Sequence, residues 1–430
     1  MKVLVWGINY APELTGIAPC NVALCEHLLR QGHQVEMVTG FPYYPHWQKR
    51  AEDCGRLYHT ETLNGVVVCR CWQFVPRSLS AFKRILHEAS FVLTSTLRVL
   101  FGARSDLMVV VSPPLLLGTA AAIVHGLRGI PFVFHVQDLQ PDAAVGLGML
   151  KPGLLTRALY RLEAIAYRSA ARVSGISGSM LQAFQKKGVP AAKQLYFPNS
   201  VRVSSRNGSP PQGVFRRRHG IADDDLLVVY SGNLGVKQGL GIILDAAQLC
   251  EDPRVQFIIC GDGAARPALS KLAQESGLKN LRLLPLQAPA AFEEMMVDAD
   301  LSLITQQAGS GKFFLPSKLL TSLVFRKPIV AVADPDSELA LAIREGDFGI
   351  CLSPERPNEL ANQLDQWVDA GPRLEEMARK GRIYVERFDA ERVLGAFEAE
   401  LKKLLILKSA PRGRGTDAET VPVPETSPPE

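Results

Sequence analysis

The order of apolar and polar positions divides the chain into short runs of two kinds. Lys2 to Gly7 (KVLVWG) is a β-rich run followed by a loop of turn formers, NYAPELTG, Asn9 to Gly16. Apolar residues then recur at helical spacing from about Ile17 to Arg30, Gly32-His33 closes that pattern, and Gln34 to Thr39 reads as the next strand. A strand–loop–helix–strand opening predicts an open parallel sheet. Further strands are expected at Val66–Arg70, Leu107–Val111, Pro131–Val136 and Val173–Ile176, with helices between them.

The periodicity lapses at NSVRVSSRNGSPPQG, Asn199 to Gly213, and then begins again. Leu226–Ser231, Gln256–Cys260, Leu281–Leu284, Leu301–Ile304 and Pro328–Ala331 read as strands, each followed by a helical pattern, and Arg373 to Lys408 reads as helix. The expected fold class is therefore α/β: two Rossmann-like parallel-sheet domains facing across a cleft, with a C-terminal helical segment. The expected boundaries are 1–198 for the first domain, 199–213 for a linker, 214–408 for the second domain with its terminal helices, and 409–430 for a Pro/Thr/Glu-rich disordered tail. Ligands of open α/β sheets bind beyond the carboxyl ends of the strands, so a tandem pair directs attention to the cleft.

Composition agrees with this picture. A length of 430 residues allows a core in each of two domains, and 47% hydrophobic with 21% charged residues is the balance of a globular protein. The cysteines form no CxxC pairs with partner histidines, so reduced thiols in a cytosolic protein are expected. Met1-Lys2 runs straight into a strand with no leader pattern. The most apolar region, Leu107 to Val136, is broken by Pro113-Pro114, Arg128 and Gly129-Ile130-Pro131, so no transmembrane helix is expected.

Charge is unevenly divided. Residues 1–200 hold 20 Lys/Arg against 11 Asp/Glu, a balance of +9, and the remainder 28 against 32, a balance of −4. The first half is expected to face something anionic. No nucleic-acid recognition motif is present, and an anionic membrane surface fits better. Between Phe82 and Phe101, Phe82, Ile85, Leu86, Ala89, Leu93, Leu97 and Leu100 share one helical face, with Arg77, Lys83, Arg84, Arg98 and Arg104 within or beside it. That pattern suits either a core-packing helix or a basic amphipathic helix lying on lipid.

Three segments of the second half could carry chemistry. In SGNLGVKQGL, Ser231 to Leu240, a strand runs into Gly232-Asn233-Leu234-Gly235, with Lys237 following. Glycines permit close backbone approach, and a lysine adds full charge, as a phosphate requires. CGDGAAR, Cys260 to Arg266, places Gly261-Asp262-Gly263 at the end of another strand, but it is not a dinucleotide fingerprint. In FFLPSKLLTSL, Phe313 to Leu323, Pro316 and Ser317 are helix-starting residues, with Ser317 suited to the N-cap. Lys318 in the first turn opposes the helix dipole unless a diphosphate is bound there. Asp334-Pro335-Asp336 has the form of a metal motif but reads as a loop.

Gly-Asn-Leu-Gly near Lys237, the Gly-Asp-Gly turn, and Leu315-Pro316-Ser317-Lys318 followed by Lys327-Pro328-Ile329-Val330 resemble family 4 GT-B glycosyltransferases. NYAPELTG and HVQDLQPDAAVGLGML, His135 to Leu150, are similar to the acceptor half of the branch that makes bacterial exopolysaccharides of the colanic acid type. The resemblance spans roughly residues 1–400. It implies a retaining glycosyltransferase that moves a sugar from a nucleotide-diphosphate donor to a polyprenyl-diphosphate-linked glycan. It also implies a peripheral position at the cytoplasmic face of the membrane, without cofactor or metal. Donor contacts are expected from Gly16, Gly232, Asn233, Lys237, Gly261, Asp262, Gly263, Ser317 and Lys318. The acceptor-side histidine of the family corresponds to His135 or to Gln137, with Asp138 adjacent in either register, and these three are the catalytic candidates.

The chain departs from the family pattern in two places. The usual arginine after the strand is Asn233, and the usual glutamate pair falls on Phe313 and Thr321. A non-catalytic sugar-nucleotide-binding protein and a GT-B-fold epimerase are therefore the alternative readings. A dehydrogenase would need G-x-G-x-x-G after the first strand, where GINYAPELTG stands.

Overall fold

The computed structural model describes residues 1–14, 16–44, 47–76, 80–146, 150, 153–203, 210–309 and 316–409. The expectations placed on Arg77, Phe313, Leu315 and the tail 410–430, with parts of the linker and of the segment after Asp138, lie outside these residues. Among the described residues there are two sheets. The first contains β1 (Lys2–Trp6), β2 (Gln34–Gly40), β3 (Tyr58–Leu63), β4 (Val66–Cys71), β5 (Leu107–Ser112), β6 (Phe132–Val136), β7 (Arg172–Gly175) and β8 (Gln194–Tyr196), in the order β3-β4-β2-β1-β5-β6-β7-β8. The second contains β9 (Leu226–Ser231), β10 (Val255–Cys260), β11 (Leu281–Leu284), β12 (Leu301–Thr305), β13 (Ile329–Val332) and β14 (Gly349–Leu352), in the order β11-β10-β9-β12-β13-β14.

Strands such as β5 (LMVVVS) and β6 (FVFHV) are buried at every residue because helices cover both faces of the parallel sheet. All pairings are parallel except β3 with β4. That hairpin turns at Asn64 and Gly65, both at positive φ (50° and 81°), as a two-residue turn of matching twist requires. In each sheet the strand order reverses beside one strand, at β1/β5 and at β9/β12. The loops leaving β1 and β9 therefore open into the crevices where such sheets bind ligands.

The helix expected over 373–408 is two helices, Gly371–Val385 and Ala390–Ser409. Asp389 starts the second by accepting from the Glu391 amide at 3.1 Å. The last helix, expected within the 214–408 unit, packs on the first half. Val393, Leu394, Phe397 and Leu401 of the last helix pack with Val3, Val5, Leu24 and Leu28 of the first half. The chain thus crosses between the halves twice, side by side: Val201 donates to the Phe388 carbonyl and accepts from the Ala390 amide, both at 3.0 Å. Phe397 stacks on Phe197, with centroids 3.8 Å apart and planes 5° from parallel. No helix among the described residues is long and apolar enough to cross a membrane.

Glu398 of that helix fixes the return. Its carboxylate accepts from His27 Nε2 (3.1 Å), His33 Nε2 (2.9 Å) and Lys402 (2.6 Å). Burial alone would raise its pKa, but the bonds from Lys402, His33 and His27 outweigh that and hold it at about 2. A carboxyl depressed from an ordinary 4.5 stabilises the fold above 4.5 and loses that contribution as pH falls toward 2. Glu398→Gln is expected to cost about 2 kcal/mol at pH 7, the worth of hydrogen bonds to a charged group. Urea titrations of both proteins should show the deficit shrinking as pH falls through this window.

Candidate active site

On the second sheet, β9 ends at Ser231 and turns through Gly232 at φ 138°. The next loop begins at Gly261 (φ 154°), whose amide and that of Gly232 continue the ladders to the Leu284 and Cys260 carbonyls. The two loops lie back to back, with Leu234 N on Asp262 O and Ala265 N on Leu234 O, both at 2.8 Å. A Cβ on Gly261 would stand 1.9 Å from the Gly232 carbonyl oxygen, and one on Gly263 would stand 2.6 Å from the Asn233 side chain, so neither position admits a side chain. Asn233 and Lys237 are exposed on the loop, and Asp262 is bound to its own turn through the Gly263 amide at 2.8 Å. Arg266 braces the second loop from behind, donating to the Gly261 and Leu284 carbonyls.

Lys318 enters this cradle from the helix Ser317–Val324. Its ammonium donates to the Tyr230 hydroxyl at 2.6 Å and lies 3.8 Å from that ring's centroid. A Cβ on Gly232 would stand 3.2 Å from the Lys318 Nζ, so the glycine leaves the ammonium its space. Burial, with no carboxylate partner among the described residues, lowers the Lys318 pKa to about 7. The Tyr230 hydroxyl in turn donates a hydrogen bond to the Asn233 carbonyl at 2.9 Å. Ser317 is the first helical residue rather than the N-cap; Pro316 holds that place and offers no side-chain acceptor, so the cap is left open. Asp334 accepts from the Gly309 amide at 2.7 Å, the loop role expected of it.

The first sheet supplies the opposite wall. Glu13 is 7% exposed, and its carboxylate accepts from the Tyr43 and Tyr44 amides at 3.0 and 2.9 Å and from Asn9 Nδ2 at 2.8 Å. It ties the loop leaving β1 to the loop leaving β2; burial raises its pKa, and these bonds oppose the rise. Arg70, 4% exposed, holds the same loops from below through the Ala11 and Gly40 carbonyls. Gly16 (φ 69°) lies beside the Tyr44 ring. Asp138 stands two residues past β6. Burial raises its pKa, and the charges that pull it back are Lys237 of the other half and Arg84. Asp138, Lys237 and Arg84 therefore share one field across the cleft. Glu88, one turn on from Arg84, accepts from Gln140 Nε2 at 3.3 Å.

His135 and Gln137 are not part of that group. The His135 ring is 3% exposed, 4.8 Å from Phe197 and 6.4 Å from Phe397, and it bonds Ser174 Oγ at 2.9 Å and Gln137 Nε2 at 2.8 Å. Burial pushes its pKa down to about 3, so it is neutral. Gln137 continues to Asn199 Oδ1 at 2.9 Å. Their bonds tie these two residues, expected as catalytic candidates, to the interdomain crossing. Of the three, Asp138 is the part-exposed one and lies in the field of Lys237 and Arg84. Glu13 and Arg70 were not singled out in the sequence, although Glu13 falls within the quoted NYAPELTG segment.

Residues 15–200 match the family described as Glycosyl transferase 4-like domain, and residues 212–384 match Glycosyl transferases group 1. WcaI of Escherichia coli (strain K12), a protein named as a colanic acid biosynthesis glycosyl transferase, is 33% identical over 411 residues, spanning 94% of this chain and 100% of that one. The fold is similar to that of Anabaena Alr3699/HepE in complex with UDP, at TM-score 0.68 and 18% identity over 94% of this chain and 100% of the other. It is also similar to sucrose-phosphate synthase from Thermosynechococcus elongatus, at TM-score 0.73 and 14% identity over 95% and 100%. With a relative of this identity aligned along its whole length and two parallel sheets facing across a cleft, the chain belongs to the GT-B glycosyltransferases, in the group related to bacterial exopolysaccharide transferases.

Proposed function

We propose that this protein transfers a sugar from a nucleoside-diphosphate donor, with retention at the anomeric carbon, to a lipid-linked glycan at the cytoplasmic face of the membrane. The observation that carries the reading is Lys318: a desolvated ammonium whose partner among the described residues is a neutral hydroxyl, opening onto glycine-walled loops at the strand-order reversal. A diphosphate supplies the charge this lysine lacks. As the sugar–oxygen bond breaks, charge gathers on the leaving diphosphate, and Lys318 and Lys237 would offset it without reorganising. A donor phosphate oxygen would take the acceptor's proton, so no protein group need be a strong base. Asp138, within the field of Lys237 and Arg84, would orient the acceptor hydroxyl from the other wall. Kinship with WcaI supports the exopolysaccharide pathway, and a lipid carrier is the acceptor proposed to go with it.

UDP is the first probe, since Alr3699/HepE was solved with it. Lys318→Ala and Lys237→Ala should each weaken UDP binding about 10- to 100-fold by calorimetry, the worth of one charged hydrogen bond, with unchanged melting. Because free Lys318 titrates near 7, wild-type affinity should fall by up to about tenfold per unit between pH 7 and 9, until the bound-state pKa is passed. Lys318→Ala should abolish that decline. Normal UDP affinity in both variants would remove them from the donor site.

Asp138→Asn is expected to lower sugar transfer by about 10²-fold while leaving UDP affinity unchanged, because it acts on the acceptor wall. A matched loss of UDP binding would place it with the donor instead. Transfer is also expected to continue in EDTA, since the described residues hold no cluster of three or more His, Cys, Asp or Glu able to ligate a metal. Loss of activity on chelation with recovery on adding a divalent ion would contradict that mechanism.

A further inference from the structure

The helix Ala81–Phe101 is amphipathic in the reverse sense for a helix that covers a sheet. Its apolar row faces solvent: Phe82, Ile85, Leu86, Leu93 and Leu97 are 74, 53, 44, 64 and 44% exposed, and Phe101 is 86% exposed. The face turned inward holds His87, Thr94 and Ser95 beside Phe91 and Val99. The hydroxyls of Thr94 and Ser95 are satisfied locally, on the Trp72 carbonyl at 2.6 Å and the Val92 carbonyl at 3.3 Å. Folding alone gains nothing from that outer row. The neighbouring helices continue it. Leu116–Arg128 packs against both this helix and Leu154–Ser169, and it exposes Ile123 and Leu127 at 52 and 71%. Leu154–Ser169 exposes Leu154 and Leu155 at 84 and 55%. Apolar surface on three adjacent helices exceeds the scatter of single residues that soluble surfaces carry.

The same helices carry seven Lys/Arg and two carboxylates, and those two, Glu88 and Glu163, are only 20 and 3% exposed. Arg157, Arg161 and Arg168 are all exposed on the outer side of the third helix. Apolar rows flanked by cations, with almost no exposed anion, complement an anionic lipid surface, into which such a helix settles by about 5–10 Å. A second copy of the chain is the poorer occupant, because a two-fold contact would set this cationic face against itself.

We propose that this three-helix face is the protein's docking surface for an anionic phospholipid bilayer, and that it sets the mouth of the cleft at the lipid surface. The first turns of Ala81–Phe101 carry Arg84 and Glu88 into the field of Asp138, and the remaining length, about 31 Å in all at 1.5 Å per residue, extends along the bilayer. A glycan whose lipid stays in the membrane reaches Asp138 without being extracted. The purpose of the surface rests on the lipid-linked acceptor proposed above, whereas its existence rests on the exposed rows and their charge.

The test is co-sedimentation of the full chain with vesicles of phosphatidylcholine alone and of phosphatidylcholine with phosphatidylglycerol. Each is run at about 0.1 and 1 M salt, between which the Debye length falls from about 10 to 3 Å. Binding is expected to the anionic vesicles at low salt and to weaken at least about tenfold at high salt. Leu93→Glu with Leu97→Glu, and separately Arg157→Glu with Arg161→Glu, should each weaken it about tenfold or more, at unchanged melting and UDP affinity. Equal binding to both vesicle types, or unaltered binding by both variants, overturns the surface. So does a concentration-dependent dimer that the leucine variant dissolves while vesicle binding persists. Transfer to a detergent-dispersed lipid acceptor separates the two proposals: its absence alongside normal vesicle binding would fault the acceptor and leave the docking face standing.

Discussion

The stack of Phe397 on Phe197 is the contact on which the site depends. GT-B chemistry needs two sheet edges to face one another, and here the halves are joined by two side-by-side crossings at Val201 and Asp389. A pair of crossings alone would leave a hinge. The last helix closes it by returning to the first half and placing Phe397 flat against Phe197, just ahead of the crossing, with His135 against the same rings. His135 is bonded to Ser174 and Gln137, and Gln137 to Asn199, so the crossing is held both by ring packing and by a polar chain that ends in the crossing itself. Buried polar chains of this kind specify one geometry because each unsatisfied member is costly.

Given that geometry, the electrostatics of the cleft follow from what each wall lacks. The donor wall holds Lys318, with no carboxylate partner among the described residues, and loops walled by glycines; the acceptor wall holds Asp138, desolvated and within the field of Lys237 and Arg84. Neither group would be retained as a contribution to stability, since burying a charge without a close partner opposes folding. Both would become favourable if, as proposed, a diphosphate and an acceptor hydroxyl entered between them. The rigid parts lie behind: Arg266 under the glycine loops, and Glu13 and Arg70 under the loops of the first sheet.

The fold was legible because parallel sheets announce themselves as apolar runs alternating with helical periods, and the glycine loops because close approach admits no other residue. What escaped did so for physical reasons. β6 is buried on both faces, so no alternation distinguishes His135, which points at the crossing, from Asp138, which lies beyond the strand. In NYAPELTG the carboxylate of Glu13 is inside and Leu14 is 74% exposed, the opposite of what hydropathy suggests, because the loop needs an acceptor for two amides. The hairpin β3/β4 and the break before Ala390 did leave local signals, Asn64-Gly65 and an N-capping Asp389, that a reading by apolar runs passed over.

The helix Ala81–Phe101 shows where periodicity is informative and where it is mute. The spacing identified the apolar row correctly, but such a row has a direction only relative to its own helix, and nothing in it says whether it turns toward the sheet or away. The opposite face decides. His87, Thr94 and Ser95 can be buried because the loop after β4 presents the Phe74 and Trp72 carbonyls to His87 and Thr94, while Ser95 bonds back within its own helix. With Thr94, Ser95 and His87 Nδ1 bonded inside beside Phe91 and Val99, the row Phe82, Ile85, Leu86, Leu93, Leu97 and Phe101 is left outside, and the way the helix faces is settled by hydrogen bonds as well as by hydrophobicity. The outer row of a helix so placed stays uncovered on folding and is buried only against another apolar phase.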